Sequence, residues 1–307
     1  MDARYTFDNG ETSHHSIEMI YWLKRARRIF SDLKPAFPAE PIKMHAVFEE
    51  GFEQALFGGI CNGRVLIGHE KGVHEYKVIE DRWLWVNDQE NKWFAKYCVT
   101  EDFIITCGGK SENCCGNALV QLLQFQKSGA HNLTKVTCPT LLPLHIDNGH
   151  VLASMGNSTV ILVGGNYLGN RVFQGELTST KNDFKWKQLE PMNIARIRPL
   201  MFKINGGIYV AGGMKLNGDR YTSCERYDMN TKEWHMCEHL LPDTLNIDNA
   251  CVVVNDEEDS VIITGGTVSS EIVIFSEKGG FSIIDKGYFS TKIPFYNKRH
   301  VSILLPS

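Results

Sequence analysis

The sequence has no apolar run long enough to cross a membrane. Its apolar stretches are short, as in Cys251-Val252-Val253-Val254, whereas a transmembrane helix needs about 20 residues. The first residues, MDARYTFDNGETSHH, do not show the charged and then apolar pattern of a secretory signal. Charge of one sign is not in excess either, since the formal net charge is −4 over 307 residues. We therefore expect a cytoplasmic protein that binds neither membrane nor nucleic acid.

Motifs of known reaction centres are also missing. The chain contains no G-x-S-x-G, no phosphate-binding loop, no H-E-x-x-H and no dinucleotide-binding G-x-G-x-x-G between a strand and a helix. Cys114-Cys115, with Cys107 nearby, has neither the spacing nor the second pair that a zinc site needs. We therefore predict that the protein is not an enzyme and holds no metal or cofactor.

Nine cysteines form an odd count without a regular framework. Without an export signal, reduced thiols are the expectation for such a chain. His14-His15 lies at the start of the first predicted element, and we interpret it as solvated.

One helix is predicted, over residues 13–33. Its apolar residues recur at spacings of three and four, which places them on one face: Met19, Leu23, Ala26, Phe30 and Leu33. The basic run Lys24 to Arg28 is interpreted as the solvated side of this helix, with a nuclear address or an anionic contact as the alternative. Pro35, Pro38 and Pro41 then end the helix. The pattern divides the chain into a helical segment with its linker, 1–40, and a second domain, 41–307.

After residue 40 the pattern becomes that of many short strands. Apolar runs rich in Val, Ile, Phe and Tyr alternate with Gly, Asn and Asp. Asn62-Gly63 lies between ALFGGIC and RVLIGH, and Asn-Gly at this place predicts a two-residue hairpin turn with two positive φ angles.

These strands belong to a repeat. Apolar runs end in Gly-Gly at Gly109, Gly165, Gly213 and Gly266, with a weaker copy ending at His69. A preceding apolar strand begins at Gly149, Pro199, Asn249 and Arg299, at intervals of 50 residues. Trp186 follows Gly165, and Trp234 follows Gly213, by 21 residues each. A period of roughly 50 residues indicates a propeller or a similar array.

At these residues the chain resembles the kelch repeat family, and in particular the kelch domain of BTB-BACK-kelch proteins. The unit from Pro199 to His239 carries every element of the motif: Gly212-Gly213, Tyr227 and Trp234. The other units keep the glycines and match less completely. A complete BTB domain does not fit before the repeats, and the resemblance interprets residues 1–40 as a possible remnant of a BACK domain.

The resemblance implies an all-β fold, a kelch-type propeller of four-stranded antiparallel blades. Five units are countable, and the strand after Arg299 is an additional first strand. The ring has five blades, or residues 41–61 contribute an irregular sixth. Tyr227, Trp186 and Trp234 are predicted to pack between blades, because large rings bury much apolar area there.

The same resemblance implies that loops at one end of the propeller bind a segment of a partner protein. The predicted contact residues are those in the matching loops: Asp147, Asn148, Asn166, Tyr167, Arg196, Arg198, Lys215, Asn217, Asp248, Asn249 and Arg299. In the fourth repeat, the segment MKLNGDRYT after the glycines is predicted to meet the partner. The leading hypothesis is a substrate-recruiting adaptor of a cullin-type ubiquitin ligase, and the alternative is an actin-binding protein.

Overall fold

A computed structural model describes most of the repeat region. The described residues are 19–22, 44–46, 55–69, 72–77, 82–87, 95–108, 118–125, 133–146, 149–156, 158–243, 245, 247, 250–254, 259–264, 272–284 and 301–304. The secondary structure in these ranges consists of β-strands joined by turns. No helix in these ranges is long and apolar enough to cross a membrane.

The strands form five blades and one further sheet. Strands β1 (Met19–Trp22) and β2 (Met44–Ala46) precede the blades, and β23 (Val301–Leu304) follows them. Blade 1 comprises β3 (Ala55–Cys61), β4 (Arg64–His69), β5 (Gly72–Lys77) and β6 (Arg82–Asn87). Blade 2 comprises β7 (Ala95–Val99), β8 (Ile104–Gly108), β9 (Val120–Phe125) and β10 (Leu133–Thr137).

The remaining three blades repeat this order. Blade 3 comprises β11 (His150–Gly156), β12 (Thr159–Gly164), β13 (Val172–Leu177) and β14 (Phe184–Leu189). Blade 4 comprises β15 (Leu200–Ile204), β16 (Gly207–Ala211), β17 (Cys224–Tyr227) and β18 (Trp234–Met236). Blade 5 comprises β19 (Cys251–Val254), β20 (Ser260–Thr264), β21 (Ile272–Ser276) and β22 (Gly280–Ile284). Each blade is a four-stranded antiparallel sheet in chain order, which confirms the predicted all-β propeller.

The first strands of the blades lie side by side around a closed ring. Strand β3 contacts β7, β7 contacts β11, and β15 and β19 continue the series. Strand β23 lies between β19 and β3, and it pairs in parallel with β1, which pairs antiparallel with β2. The five-bladed arrangement is therefore completed by a three-stranded sheet that joins residues near both ends of the sequence. Full closure leaves no inner strand without neighbours on both sides.

The sequence predicts a helix over residues 13–33, but the four residues that the structure describes there form a strand. Met19–Trp22 is a strand, with Met19 opposite Val301 and Trp22 opposite Leu304. Pairing with β23 gives these residues backbone partners from another part of the chain, which the helical spacing of their apolar side chains does not reveal. The remainder of residues 13–33 lies outside the described residues, as does the proline linker, and the domain boundary near residue 40 stays a prediction.

The core lies between neighbouring blades. One cluster of buried residues joins blades 2 and 3, and Trp186 packs against it. Another joins blades 3 and 4 and contains Tyr227 and Trp234. The indole N–H of Trp234 donates to the carbonyl oxygen of Glu190 in the preceding loop, at 2.9 Å. The prediction that these three rings pack between blades is confirmed.

The repeated glycines serve a close approach of two backbone segments. Gly164 at the end of β12 has φ +71°, and a Cβ atom there would lie 2.7 Å from the carbonyl oxygen of Arg196. Only glycine accommodates both conditions without strain. The Asn62-Gly63 turn likewise has φ values of 51° and 69°, as predicted for a hairpin of this type.

We predict that Gly164→Ala lowers the free energy of unfolding by about 2–4 kcal/mol, because it adds a backbone clash to the strain of a positive φ. Gly156→Ala is the matched control: Gly156 has φ +80° with no atom within 4 Å of the added Cβ. The control should cost only about 1–2 kcal/mol. Urea unfolding of both variants measures the difference, and equal losses would contradict the role given to the close approach.

Candidate functional site

Two sets of loops gather at one end of the propeller. Among the described residues, the loops that join consecutive blades and the loops that follow a second strand lie together, because strand direction alternates within a blade. Their backbones are bonded to one another: Gly165 N–H donates to Arg196 O at 2.8 Å, and Ile197 exchanges two bonds with Met214 at 2.8 and 2.9 Å. We call this end the loop face, and the opposite end, which carries turns such as Asn62-Gly63, the turn face.

The most prominent loop on this face is a hairpin in blade 4, residues 214–220, which we call the blade 4 hairpin. Met214 pairs with Arg220, and Lys215 N–H donates to Asp219 O at 2.8 Å. The side-chain amide of Asn217 donates to the Asp219 carboxylate at 2.9 Å. This hydrogen bond, together with the Lys215 ammonium, lowers the pKa of Asp219. The hairpin is therefore a defined structure that the rest of the blade supports.

An apolar side chain occupies the tip of the blade 4 hairpin. Leu216 is 84% exposed, although a leucine in an ordered loop would gain free energy by being covered. Other large exposed hydrophobic side chains lie in loops of the same face: Leu141, Tyr167 and Leu240. Among the described residues, one large exposed hydrophobic side chain, Met229, lies in a turn of the turn face. The remaining ones, Trp85, Met236 and Ile283, lie on strands. The loop face is thus the end that presents apolar groups in loops.

The loop that carries Tyr167 is also held in place. Gly169 N–H donates to Gly165 O at 2.9 Å. The Arg171 guanidinium donates to Tyr167 O at 2.6 Å and to Leu168 O at 3.1 Å. Tyr167, at 56% exposure, therefore projects from a fixed backbone.

The structure places five of the predicted contact residues on the exposed part of the loop face. These residues are Asn166, Tyr167, Arg198, Lys215 and Asn217. A further five lie outside the described residues: Asp147, Asn148, Asp248, Asn249 and Arg299. Whether any of them contacts a partner stays a prediction.

Arg196 has a different position from the one predicted. Its side chain is 0% exposed, and it forms an ion pair with Glu225, also 0% exposed, at 3.0 Å. The guanidinium also donates to Gly212 O at 2.8 Å and to Ser223 O at 2.9 Å. A group so enclosed has no surface to offer a partner. We therefore correct its assignment: Arg196 supports the loop face from below, with its guanidinium 5.2 Å from the ring centre of Tyr221.

Glu225 is the residue of this network that the sequence did not reveal. Its carboxylate accepts hydrogen bonds from Arg196 and from the backbone N–H groups of Asn193 and Ile194, at 2.6 and 3.2 Å. It thereby ties the loop between blades 3 and 4 to strand β17. A buried acidic residue requires such partners, because an unpaired charge in the interior is unfavourable.

A central channel of about 1170 Å³ runs along the first strands. Arg198 and Ile247 line it at the loop face, and Glu101 and Asp102 line it towards the turn face. Lys203 also lines it near the turn-face end of β15 and donates to Met155 O at 3.3 Å. Arg198 also borders a small cavity of about 30 Å³ beside Arg220 and Tyr221.

The described residues bring no group of three or more His, Cys, Asp or Glu side chains into a metal-binding arrangement. Cys114 and Cys115 lie outside the described residues, as do His14 and His15. Cys107 is buried, and burial raises its pKa well above the usual value of a thiol.

Comparison with known proteins supports this description of the fold. Residues 201–240, which span most of blade 4, match the family model of the Kelch motif. Blade 4 therefore has the sequence pattern of a Kelch motif. We call blade 4 the kelch blade, and it carries both the blade 4 hairpin and Glu225, whose partner Arg196 lies in the preceding loop. The solved structure of YjhT resembles the chain with a TM-score of 0.56 and 16% identity, over 80% of this chain and 89% of that one. At this identity the likeness shows the fold alone, and no curated protein matches the sequence.

We predict that Arg196→Ala destabilises the kelch blade strongly. Removal of the guanidinium leaves the Glu225 carboxylate buried without its counter-ion, and such a change costs about 3–5 kcal/mol. Lys215→Ala is the matched control, since it removes a cation from an exposed ion pair with Asp219, and exposed pairs contribute little. Urea unfolding compares the two variants. Similar midpoints for Arg196→Ala and Lys215→Ala would contradict the structural role of Arg196.

Proposed function

We propose that this protein is an interaction module that binds a segment of a partner protein on its loop face. The proposal rests above all on Leu216, which the blade 4 hairpin holds at 84% exposure. Large apolar patches on an ordered surface are typical of sites that another molecule covers, whereas a single exposed apolar side chain is common. Tyr167, Leu141 and Leu240 add apolar area at the same end.

The loops of this face are already held in place, which lowers the entropic cost of binding a partner. The blade 4 hairpin is bonded to the loop between blades 3 and 4 through Met214 and Ile197. Arg171 fixes the loop of Tyr167. A partner that binds loops already in place loses less conformational entropy on association. Central apolar or aromatic side chains surrounded by polar groups are also the usual energetic centres of interfaces.

The polar residues of the face suit recognition by hydrogen bonds. Asn166 and Asn217 adjoin Tyr167 and Leu216 in the chain, and Arg198 lies beside Arg220 and Tyr221 on the same face. These polar groups can orient a partner segment, as polar groups do at the rim of an interface. We propose a non-enzymatic role for this face, because its exposed side chains are suited to packing and hydrogen bonding. We place that role in the cytoplasm, without a membrane or nucleic-acid partner.

Within this function, the leading candidate is a substrate-recruiting adaptor of a cullin-type ubiquitin ligase, and the alternative is an actin-binding protein. Both come from the resemblance to kelch repeat proteins. Affinity purification followed by mass spectrometry tests the first, since an adaptor should recover a cullin or its adaptor subunit. Co-sedimentation with actin filaments tests the second. Recovery of neither would remove both roles while leaving the loop face itself open to the following test.

We predict that Leu216→Asp combined with Tyr167→Ala abolishes the capture of specific partners. The change places a charge and a cavity where apolar contacts form, and loss of a central interface side chain costs about 2 kcal/mol or more. Met229→Asp is the matched control, because Met229 is 51% exposed in the turn after β17, on the turn face.

Quantitative capture should recover the same proteins with the wild type and with Met229→Asp, and lose them with the loop-face variant. All three proteins should unfold at the same urea concentration. Equal recovery by the loop-face variant would overturn the assignment of this face.

A further inference from the structure

Two cysteines face each other across the outer strands of the kelch blade. The register of β17 and β18 pairs Tyr227 with Trp234 and Glu225 with Met236, so the next opposing residues are Cys224 and Cys237. The backbone continues this ladder, since Cys237 N–H donates to Cys224 O at 2.8 Å. Opposing residues at a hydrogen-bonded position have Cα atoms about 5.5 Å apart, a distance typical of disulfides.

The two thiols are close enough that each shifts the pKa of the other. Cys224 belongs to the apolar cluster between blades 4 and 5, and Cys237 packs against that cluster. They differ in access, because Cys224 is fully buried while Cys237 is only half-buried. A small oxidant can therefore reach Cys237 more readily than Cys224.

The surrounding charges favour the same order. The neighbouring Cys224 thiol lowers the pKa of Cys237, and Arg226 and Arg196 lower it further, whereas burial and Glu225 raise it. The Cys237 thiol and burial raise the pKa of Cys224. The thiolate is the nucleophilic form of cysteine, and Cys237 is also the more exposed of the two thiols, so we expect Cys237 to react first.

Other described cysteines lack this combination. Burial raises the pKa of Cys61, Cys98 and Cys138 to about 12 each. Cys251, which is half-buried like Cys237, lies opposite Thr264 across its ladder.

We propose that Cys224 and Cys237 form a dithiol site that a hydroperoxide converts reversibly to a disulfide. The Cys237 thiolate attacks one peroxide oxygen and the O–O bond breaks, which gives a sulfenic acid and hydroxide. The Cys224 sulfur then attacks the Cys237 sulfur, the S–O bond breaks, and the leaving hydroxide takes the Cys224 proton as water. In sum, two thiols lose two electrons and one hydrogen peroxide is reduced to two waters. A thiol reductant reverses the reaction by exchange.

The disulfide would join the blade to the loop that leaves it. Cys237 follows the end of β18, and the chain then crosses the loop face towards blade 5, with Leu241 N–H bonded to Thr222 O at 2.8 Å. A covalent link between Cys224 and Cys237 fixes the start of this loop and constrains the unfolded chain. We therefore expect the oxidised protein to melt at a higher temperature than the reduced protein.

The experiment begins with fully reduced wild-type protein treated with limiting hydrogen peroxide. Remaining thiols are then alkylated under denaturing conditions, and the linked peptides are mapped by mass spectrometry. The expected product is a Cys224–Cys237 link that forms before oxidation of the other cysteines and disappears with dithiothreitol. Oxidation of other thiols without this link, or a link that forms only in urea, would overturn the proposal.

Three variants assign the steps. Cys224→Ser should leave Cys237 as a sulfenic acid that dimedone labels, and Cys237→Ser should lose both the link and the labelling of this strand pair. Cys251→Ser is the control and should form the Cys224–Cys237 link at the wild-type rate. Dimedone labelling of Cys224 in the Cys237→Ser variant, at the rate of Cys237 in Cys224→Ser, would contradict the order of attack. If a serine variant does not fold, the wild-type peptide map alone decides for or against the site.

Discussion

Each blade can bury its two faces only against the neighbouring blades, and the rest of the structure depends on this constraint. Strand β16 shows it directly, since all five of its residues are buried. Ile208 and Val210 join the cluster shared with blade 3, whereas Tyr209 and Ala211 join the cluster shared with blade 5. Burial of one such side chain contributes about 1.5–3 kcal/mol. A single blade would leave both faces in water, so the blades must form a closed ring.

The closed ring holds the loops of the loop face in fixed positions, so that together they form a stable surface. Its first strands fix where each loop begins and ends, and buried polar contacts fix the path between. Arg196 and Glu225 hold the loop between blades 3 and 4, and this loop in turn pairs with the blade 4 hairpin. A rigid scaffold that carries exposed loops is a common basis for recognition. Leu216 can therefore remain exposed on a defined backbone.

The kelch blade combines the features on which the proposals rest. It presents Leu216 at the loop face, and it contains the buried Glu225. It also carries the Cys224 and Cys237 pair. The position of the thiols at the start of the loop towards blade 5 places a chemical modification next to the proposed binding surface. Interaction and oxidation would thus act on one structural unit, although each stands on its own observations.

The sequence by itself determined the repeat, because the same physical role recurs at the same place in each blade. A Gly at a close backbone approach and a Trp between blades leave their residue types at regular intervals, so Gly164, Tyr227, Trp186 and Trp234 could be assigned in advance. Only the tertiary structure decided which loop residues face solvent. Arg196 looks like a loop cation until Glu225, 29 residues along the chain, is seen to enclose it.

Similarly, Met19–Trp22 fits a helical spacing until β23 supplies a partner strand. The spacing of residue types along the sequence indicates only local structure. Burial, ion pairing and strand pairing between distant segments are set by the ring, and no single stretch of sequence contains that information.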